Sequence, residues 1–437
     1  MSERSTLVST RRLAWAVVLA LIGGCGQEAP QEGEGITLTV WDWHAADPSK
    51  GVGLWLTRID AAFERAHPGV KINHVAQSHT EYYQILKAAA SAKSGPDVVM
   101  LHQGSRVVDE RANLLPLTEF VTSELRRKLV GWEMTSLGYS ADGTPLAVPI
   151  AVQGLVWYYN RDLLKQAGFD PDAPPSTWSE FLRACEAARK LGKAGIAAGQ
   201  KEGFWAEWFI NLAYFQTFAP GDAERLARGD LKWTDPKVLK LLAKLKELQD
   251  HGCFARGVMS TPLFPDAGEV FMRGDALFFL GLISDVAHWK EFADMMGRDK
   301  VGVMTCPVFE LGPRADWFPT GGAFAYALTA WCKHPREAFD YIAFIASDAN
   351  ARTFLSEVGS FPANQSYDPE LIRDPNAKTI AAWLAAGKTG PQLTATLPME
   401  VGEALRRECQ RLMSGQTTVP EAAEEIEKTA AAARARK

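Results

Sequence analysis

Long hydrophobic runs are missing from this chain of 437 residues. The longest, Leu13-Ala14-Trp15-Ala16-Val17-Val18-Leu19-Ala20-Leu21-Ile22, is ten residues, against about 20 for a membrane-spanning helix. An excess of one charge is missing as well: 47 Lys and Arg face 52 Asp and Glu, a formal net charge of -5. No basic field marks a nucleic-acid partner. Cysteine is scarce, six in all with no C-x-x-C spacing, which excludes a disulfide-stapled miniature and a zinc framework. Neither G-x-S-x-G nor H-E-x-x-H occurs, so serine hydrolases and zinc peptidases have no motif support. Gly387-Lys388-Thr389 mimics the end of a phosphate loop, but position 382 is Ala where that motif needs glycine. Glu400 and Glu403 fall one helical turn apart, as on a solvated face. The chain is therefore expected to be neither an enzyme nor a cofactor carrier.

What is present starts at the N-terminus. Arg4, Arg11 and Arg12 precede the ten-residue apolar run, and Gly23-Gly24-Cys25 follows it, the three-part layout of an export signal. Small residues before a Cys resemble the lipobox of bacterial lipoproteins, which implies a signal peptide over 1–24, acylation of Cys25 and a Gly/Pro-containing tether over 25–35. The expected location is the cell envelope, lipid-anchored, with Gly26 leaving the choice of membrane open. The other cysteines, Cys185, Cys253, Cys306, Cys332 and Cys409, are expected to be mostly buried thiols, and Cys253 with Cys306 is the pair considered for a disulfide.

From Ile36 onward the patterning alternates. Ile36 to Val40 alternates as a strand, Leu56, Ile59 and Phe63 keep helical spacing before Pro68-Gly69, and Val70 to Asn73 alternates again. Tyr83, Leu86 and Ala90 form a second helical stripe before the apolar run Val98 to Leu101. This β-α-β-α-β order predicts a parallel sheet, and ligands of such sheets bind beyond the carboxyl ends of the strands. Three segments then share one rim: Trp41-Asp42-Trp43-His44, Gln77-Ser78 and His102-Gln103. Fourteen Trp add flat apolar faces to the inventory. Further along, Leu155 to Asn160, with Trp157, reads as a strand that opens a new unit. Gly203 to Phe209 opens a helix on an aromatic turn with Trp205 and Trp208, and Leu277 to Gly281 reads as a buried strand. His44 and His102 lack a third ligand at metal spacing, so no metal is expected.

Several phrases in order, among them Phe63-Glu64-Arg65-Ala66-His67-Pro68-Gly69-Val70, Gly95-Pro96-Asp97-Val98-Val99, Tyr158-Tyr159-Asn160-Arg161-Asp162-Leu163, Phe271-Met272-Arg273-Gly274-Asp275-Ala276 and Gly359-Ser360-Phe361-Pro362, resemble the extracellular solute-binding proteins of bacterial ABC importers. The likeness is to the carbohydrate-binding, maltose-binding-protein-like group and runs from about residue 36 to 430. It implies an α/β fold of two lobes, each a mostly parallel sheet flanked by helices, with a ligand cleft between them. Lobe 1 would be 36–147 plus 301–350 and lobe 2 148–300 plus 351–437. The implied partners are a sugar or oligosaccharide and ABC permease subunits, the protein itself being a monomer. By position the resemblance carries ligand contact to Trp41 to His44, His102, Gln103, Trp205, Trp208, Gly281, Ile283, Gly321 and Gly322. Ile283 stands where maltose-binding relatives often have Trp, which argues against maltose in particular. The alternatives are a charged solute (a polyamine, glycerol phosphate or a metal) in the same fold and, from another class, a secreted carbohydrate-active enzyme.

Overall fold

The computed structural model describes residues 35–436 except 80, 285–287, 311 and 322. The expected signal peptide and Cys25 lie outside the described residues, as does Gly322. Eleven strands follow in order: β1 (Ile36–Asp42), β2 (Val70–Ala76), β3 (Val98–His102), β4 (Val148–Pro149), β5 (Leu155–Asn160), β6 (Ala194–Ala197), β7 (Ala276–Leu282), β8 (Val301–Met304), β9 (Phe318–Thr320), β10 (Phe324–Leu328) and β11 (Thr389–Pro391). They form a five-stranded sheet, β2-β1-β3-β10-β4, a four-stranded sheet, β6-β7-β5-β8, and the pair β11-β9. Among the described residues no helix is long and apolar enough to cross a membrane.

The first sheet follows the alternation read in the sequence. Val98 and Met100 join Leu38, Val40 and Tyr326 in a core on one face, while Val99 and Leu101 join Tyr82 and Leu86 on the other, as the two-residue period of a strand requires. β1 runs parallel to β2 along its whole length, from Ile36↔Val70 to Asp42↔Ala76, and parallel to β3. That pairing brings the three strand ends to one rim. The second lobe carries the larger core, in which Trp157, Phe181, Trp205, Phe209 and Phe278 lie fully buried. Its helices begin where the sequence signals them: Thr177 caps Trp178–Lys190 in a capping box with Glu180, and Pro236 opens Pro236–Asp250 behind the cap Asp235.

Two expectations are corrected. The sheets are mixed rather than mostly parallel: β10 is antiparallel to β3 and β4, and β5 is antiparallel to β7 and β8. The cause is that the chain crosses between lobes: β5 enters the second sheet directly after β4 of the first, and β10 enters the first after the chain has left the second, so neither joins its sheet through a local β-α-β turn. For the same reason lobe 1 does not resume at 301. β8 is paired with β5 through Asn160↔Val301 and belongs to the second sheet; the return to the first comes at β10. The stretch after 350 is also shared, since Phe354 and Val358 pack in the first core while Phe361 packs in the second.

The crossings are bonded to one another. Val152 N–H donates to Phe361 O at 2.7 Å, Ala363 N–H to Ile150 O at 2.8 Å and Gly321 N–H to Gln153 O at 2.9 Å. The Gln153 side chain donates to Ser284 O at 2.9 Å, and Ser284 Oγ donates to Val152 O at 2.9 Å. Four chain segments thus form one knot of hydrogen bonds between the two sheets, the place where a hinge would bend.

Candidate functional site

On the lobe 1 rim, Asp42 ends β1 and is fully buried. Its Oδ1 accepts from the His44 N–H at 2.7 Å and lies 2.7 Å from His44 Nδ1, and Oδ2 accepts from the Tyr326 hydroxyl. Burial pushes this carboxyl up, but the charge and hydrogen bond of His44, the charge of His74 and the Tyr326 bond together bring it below its ordinary value. Asp42 therefore braces the rim. With no exposed surface it does not present an acceptor to a ligand, which departs from the expectation drawn from its place after a strand.

Trp43 stands next to this brace, half-buried. Its ring centroid is 4.7 Å from His102 and 5.0 Å from both His79 and Tyr82, with His44 at 5.5 Å. His102 is fixed by Tyr83, whose hydroxyl accepts the His102 backbone N–H at 3.0 Å and lies 2.9 Å from Nδ1. Gln103 is buried and donates from Nε2 to Ala151 O at 3.0 Å, tying the rim to the crossing segment. Gln77 follows β2 half-buried, its N–H on Asp42 O at 3.2 Å; Ser78 beside it is exposed and Trp41 half-buried. The structure thus brings together Trp43, His44, Gln77, Ser78, His102 and Gln103, whereas the Trp41 ring lies by Gly95, ahead of β3 and away from the rim.

The lobe 2 candidates divide. Trp157 and Trp205 are fully buried. Trp205 stacks on Phe209 with planes 6° apart and lies 6.1 Å from Trp157. Neither indole N–H has a hydrogen-bond partner among the described residues. Both residues are core: Trp157 lies on β5, buried along its whole length, and the inward stripe of helix Phe204–Ala213 carries 205 and 209 at i, i+4. Trp208 lies off that stripe, half-buried beside Phe264 at 5.6 Å. Gly281 and Ile283 are buried as well; Ile283 N–H donates to Gly154 O at 3.1 Å, so it supports the crossing.

Sequence reasoning missed a polar group beside Trp208. Glu207 accepts from Thr394 Oγ1 at 2.8 Å and pairs with Arg406 at 3.3 Å. Burial raises its pKa, and the opposing pull of Arg406, Thr394 and Arg106 does not cancel that rise. Arg106 comes from lobe 1, where it lies 4.2 Å over the Tyr83 ring; its guanidinium also donates to Met399 of lobe 2. The lobes touch here: a Cβ on Gly104 would sit 2.8 Å from Ala395 O. The signal for Glu207 was its place one residue before Trp208, and Thr394 carried none.

Against the crossings lies a cavity of about 890 Å³, lined from lobe 1 by Gln103, Gly131 and Met134, from the crossings by Ala151 and Gly321, and from lobe 2 by Tyr367 and Leu384. Gly321, at φ +106°, admits no ordinary side chain there. Among the described residues no group of three or more His, Cys, Asp or Glu could hold a metal. A space of this size with aromatic edges and a few fixed polar groups suits a small organic ligand.

Residues 58–379 match the family described as bacterial extracellular solute-binding protein. The melibiose/raffinose/stachyose-binding protein MelE of Bacillus subtilis is 23% identical over 435 residues, covering 91% of this chain and 95% of its own length. The sn-glycerol-3-phosphate-binding periplasmic protein UgpB of Salmonella typhimurium is 25% identical over 339 residues, 74% of each chain. A solved chitin oligosaccharide binding protein superposes with a TM-score of 0.80 at 24% identity, covering 92% of this chain and 100% of that one.

Proposed function

Because the chain belongs to the bacterial extracellular solute-binding family, we propose that it captures a sugar or oligosaccharide between its two lobes and delivers it to an ABC permease. A sugar offers C–H faces that pack on aromatic rings and hydroxyls that need placed polar partners. What supports this reading is that each lobe has a half-buried Trp, Trp43 and Trp208, beside fixed polar groups. Ligand touching both rims stabilises closure in proportion to its preference for the closed state. No ligand bond is broken in this mechanism. The protein works as an exported monomer, anchored through acylated Cys25.

A second reading has one observation in its favour, the likeness to the glycerol-phosphate-binding relative. A phosphoester would need cations, and two stand at the lobe contact. Arg406 is paired with Glu207 and Arg106 lies over Tyr83, so both are engaged, which favours a neutral ligand.

Thermal-shift screening tests the choice, with saccharides, polyamines, glycerol phosphate and divalent metals in one panel. Saturation at 100 times Kd adds about 2.7 kcal/mol. The expected result is a saccharide hit with no turnover of the glycoside. A shift with a charged solute alone overturns the ligand class, and hydrolysis overturns the receptor mechanism. Cys25→Ser is expected to move the protein from the membrane pellet to the soluble fraction; retention in the pellet removes the anchor.

A further inference from the structure

All five described cysteines are free thiols, and four of them are buried. Two of the four come together at the edge of the second sheet. The segment after helix Pro236–Asp250 extends that sheet beyond β6: Ile196 N–H donates to Cys253 O at 2.7 Å, and Ile196 and Phe254 form a parallel bridge. That register sets Gly195 beside Cys253, and neighbours across parallel strands, about 4.8 Å apart, turn their Cβ bonds to the same face. On this face Gly195 is bare because Cys185 fills the space. A Cβ at 195 would sit 2.6 Å from Cys185 Cβ and 2.9 Å from its Sγ. Cys185, on helix Trp178–Lys190, thus lies directly over the strand position next to Cys253. One strand spacing across and a similar height fall within the Cα separation of about 4.4–6.8 Å that a disulfide spans.

The pairing considered from the sequence, Cys253 with Cys306, is excluded by topology. Cys306 follows β8, at the opposite edge of the order β6-β7-β5-β8. From the Cys253 segment, one strand beyond β6, that is four strand spacings, about 19 Å, well over the roughly 7 Å limit for bridging Cα atoms.

We propose that Cys185 and Cys253 are joined by a disulfide in the exported protein. The oxidant is a disulfide-bearing thiol oxidase of the envelope or an oxidised small thiol. One cysteine thiolate attacks the oxidant's disulfide and expels a thiolate. The second cysteine thiolate then attacks the mixed disulfide and expels the other, so the chain loses two electrons and two protons and the oxidant becomes a dithiol. In the folded chain burial, reinforced by the hydrogen bond that its S–H donates to Cys253, holds the Cys185 thiol well above its ordinary value. Reaction therefore belongs to the folding stage, before the helix closes over Gly195.

The test is thiol trapping on the full-length protein. Protein taken from the envelope is denatured without reductant in excess alkylating agent and digested. The expected product is a peptide carrying Cys185 linked to one carrying Cys253, with Cys306, Cys332 and Cys409 alkylated. A second sample, reduced, denatured and refolded in a glutathione redox buffer, is expected to give the same link, and adding reductant during refolding to lower Tm by roughly 5 °C. Full alkylation in both samples, or a link to any other cysteine, overturns the pairing. A link after refolding but not in the envelope sample overturns the disulfide as a native feature; the pairing then stands and the assumed compartment fails.

Discussion

The two lobes hold their aromatic residues in opposite ways. In lobe 1 Trp43 sits at the end of a strand, half-buried, with polar rings around it that are themselves hydrogen-bonded. In lobe 2 Trp157 and Trp205 sit inside a wide apolar core, their indole N–H groups without a partner among the described residues, and the rim is left to Trp208 and Glu207. Aromatic richness near an element's end is therefore not enough to place a residue in a binding rim. Asp42, the last residue of β1, is buried while Trp43 in the turn after it is half-buried, whereas on a helix each residue turns through about 100°, so Trp205 falls on the inward stripe with Phe209 and Trp208 falls beside it.

The sharpest way to break this comparison is Trp205→Ala. If Trp205 is core, the change removes a fully buried indole stacked on Phe209 and costs about 3–5 kcal/mol, seen as a lower urea midpoint of the free protein. A ligand role would instead leave the midpoint unmoved and weaken affinity.

Next in size is the brace in lobe 1. Asp42→Asn removes the charge to which His44 and Tyr326 bond and is expected to cost about 2–3 kcal/mol. It also changes the acid limb. Asp42 is held below its ordinary value of 3.8, so it contributes stability that is present above pH 3.8 and lost as pH falls through the lower folded value. Stability measured from pH 5 down to pH 2 should fall less steeply in the variant. Equal slopes would show that Asp42 is not the group held down by the brace.

Much of lobe 1 was legible because strand alternation and two-residue turns are local signals. Leu38 and Val40 fell on one face as their alternation implies, the apolar run Val98 to Leu101 is buried on both, and three strand ends converged because consecutive parallel strands lie side by side. The crossings were not legible. β8 and β10 are short apolar runs whose sheet membership depends on partners more than a hundred residues away, and nothing in their composition distinguishes one sheet from the other. The same limit hid Thr394, which reaches Glu207 from 187 residues along the chain, and set Cys253 with the wrong partner.

Trp208→Ala and Trp43→Ala sharpen the comparison at the rims. Both side chains are half-buried, so truncation is expected to change stability by about 1 kcal/mol while weakening saccharide binding about tenfold, or 1.4 kcal/mol, by calorimetric titration. Unchanged affinity in both variants would move the ligand away from this rim pair and toward the cavity at the crossings.

The smallest effect separates the lobes by sign. Glu207 has its pKa raised by burial above the ordinary 4.5, despite Arg406, Thr394 and Arg106, the reverse of Asp42. Its contribution is fully present below pH 4.5 and is lost as pH rises through the folded value. Glu207→Gln keeps the acceptor for Thr394 and removes the charge. At neutral pH the net change is expected to stay within about 1 kcal/mol, because the side chain, 16% exposed, also gives up its ion pair with Arg406. The slope of stability against pH from 4.5 upward should then flatten in this variant, while Asp42→Asn leaves that range as in the parent. The two lobes would thus respond on opposite sides of the ordinary carboxylate range through one acid each. A wild-type slope surviving in Glu207→Gln would mean that this carboxylate is solvated, and that the lobe 2 rim is more open than the contact between Gly104 and Ala395 implies.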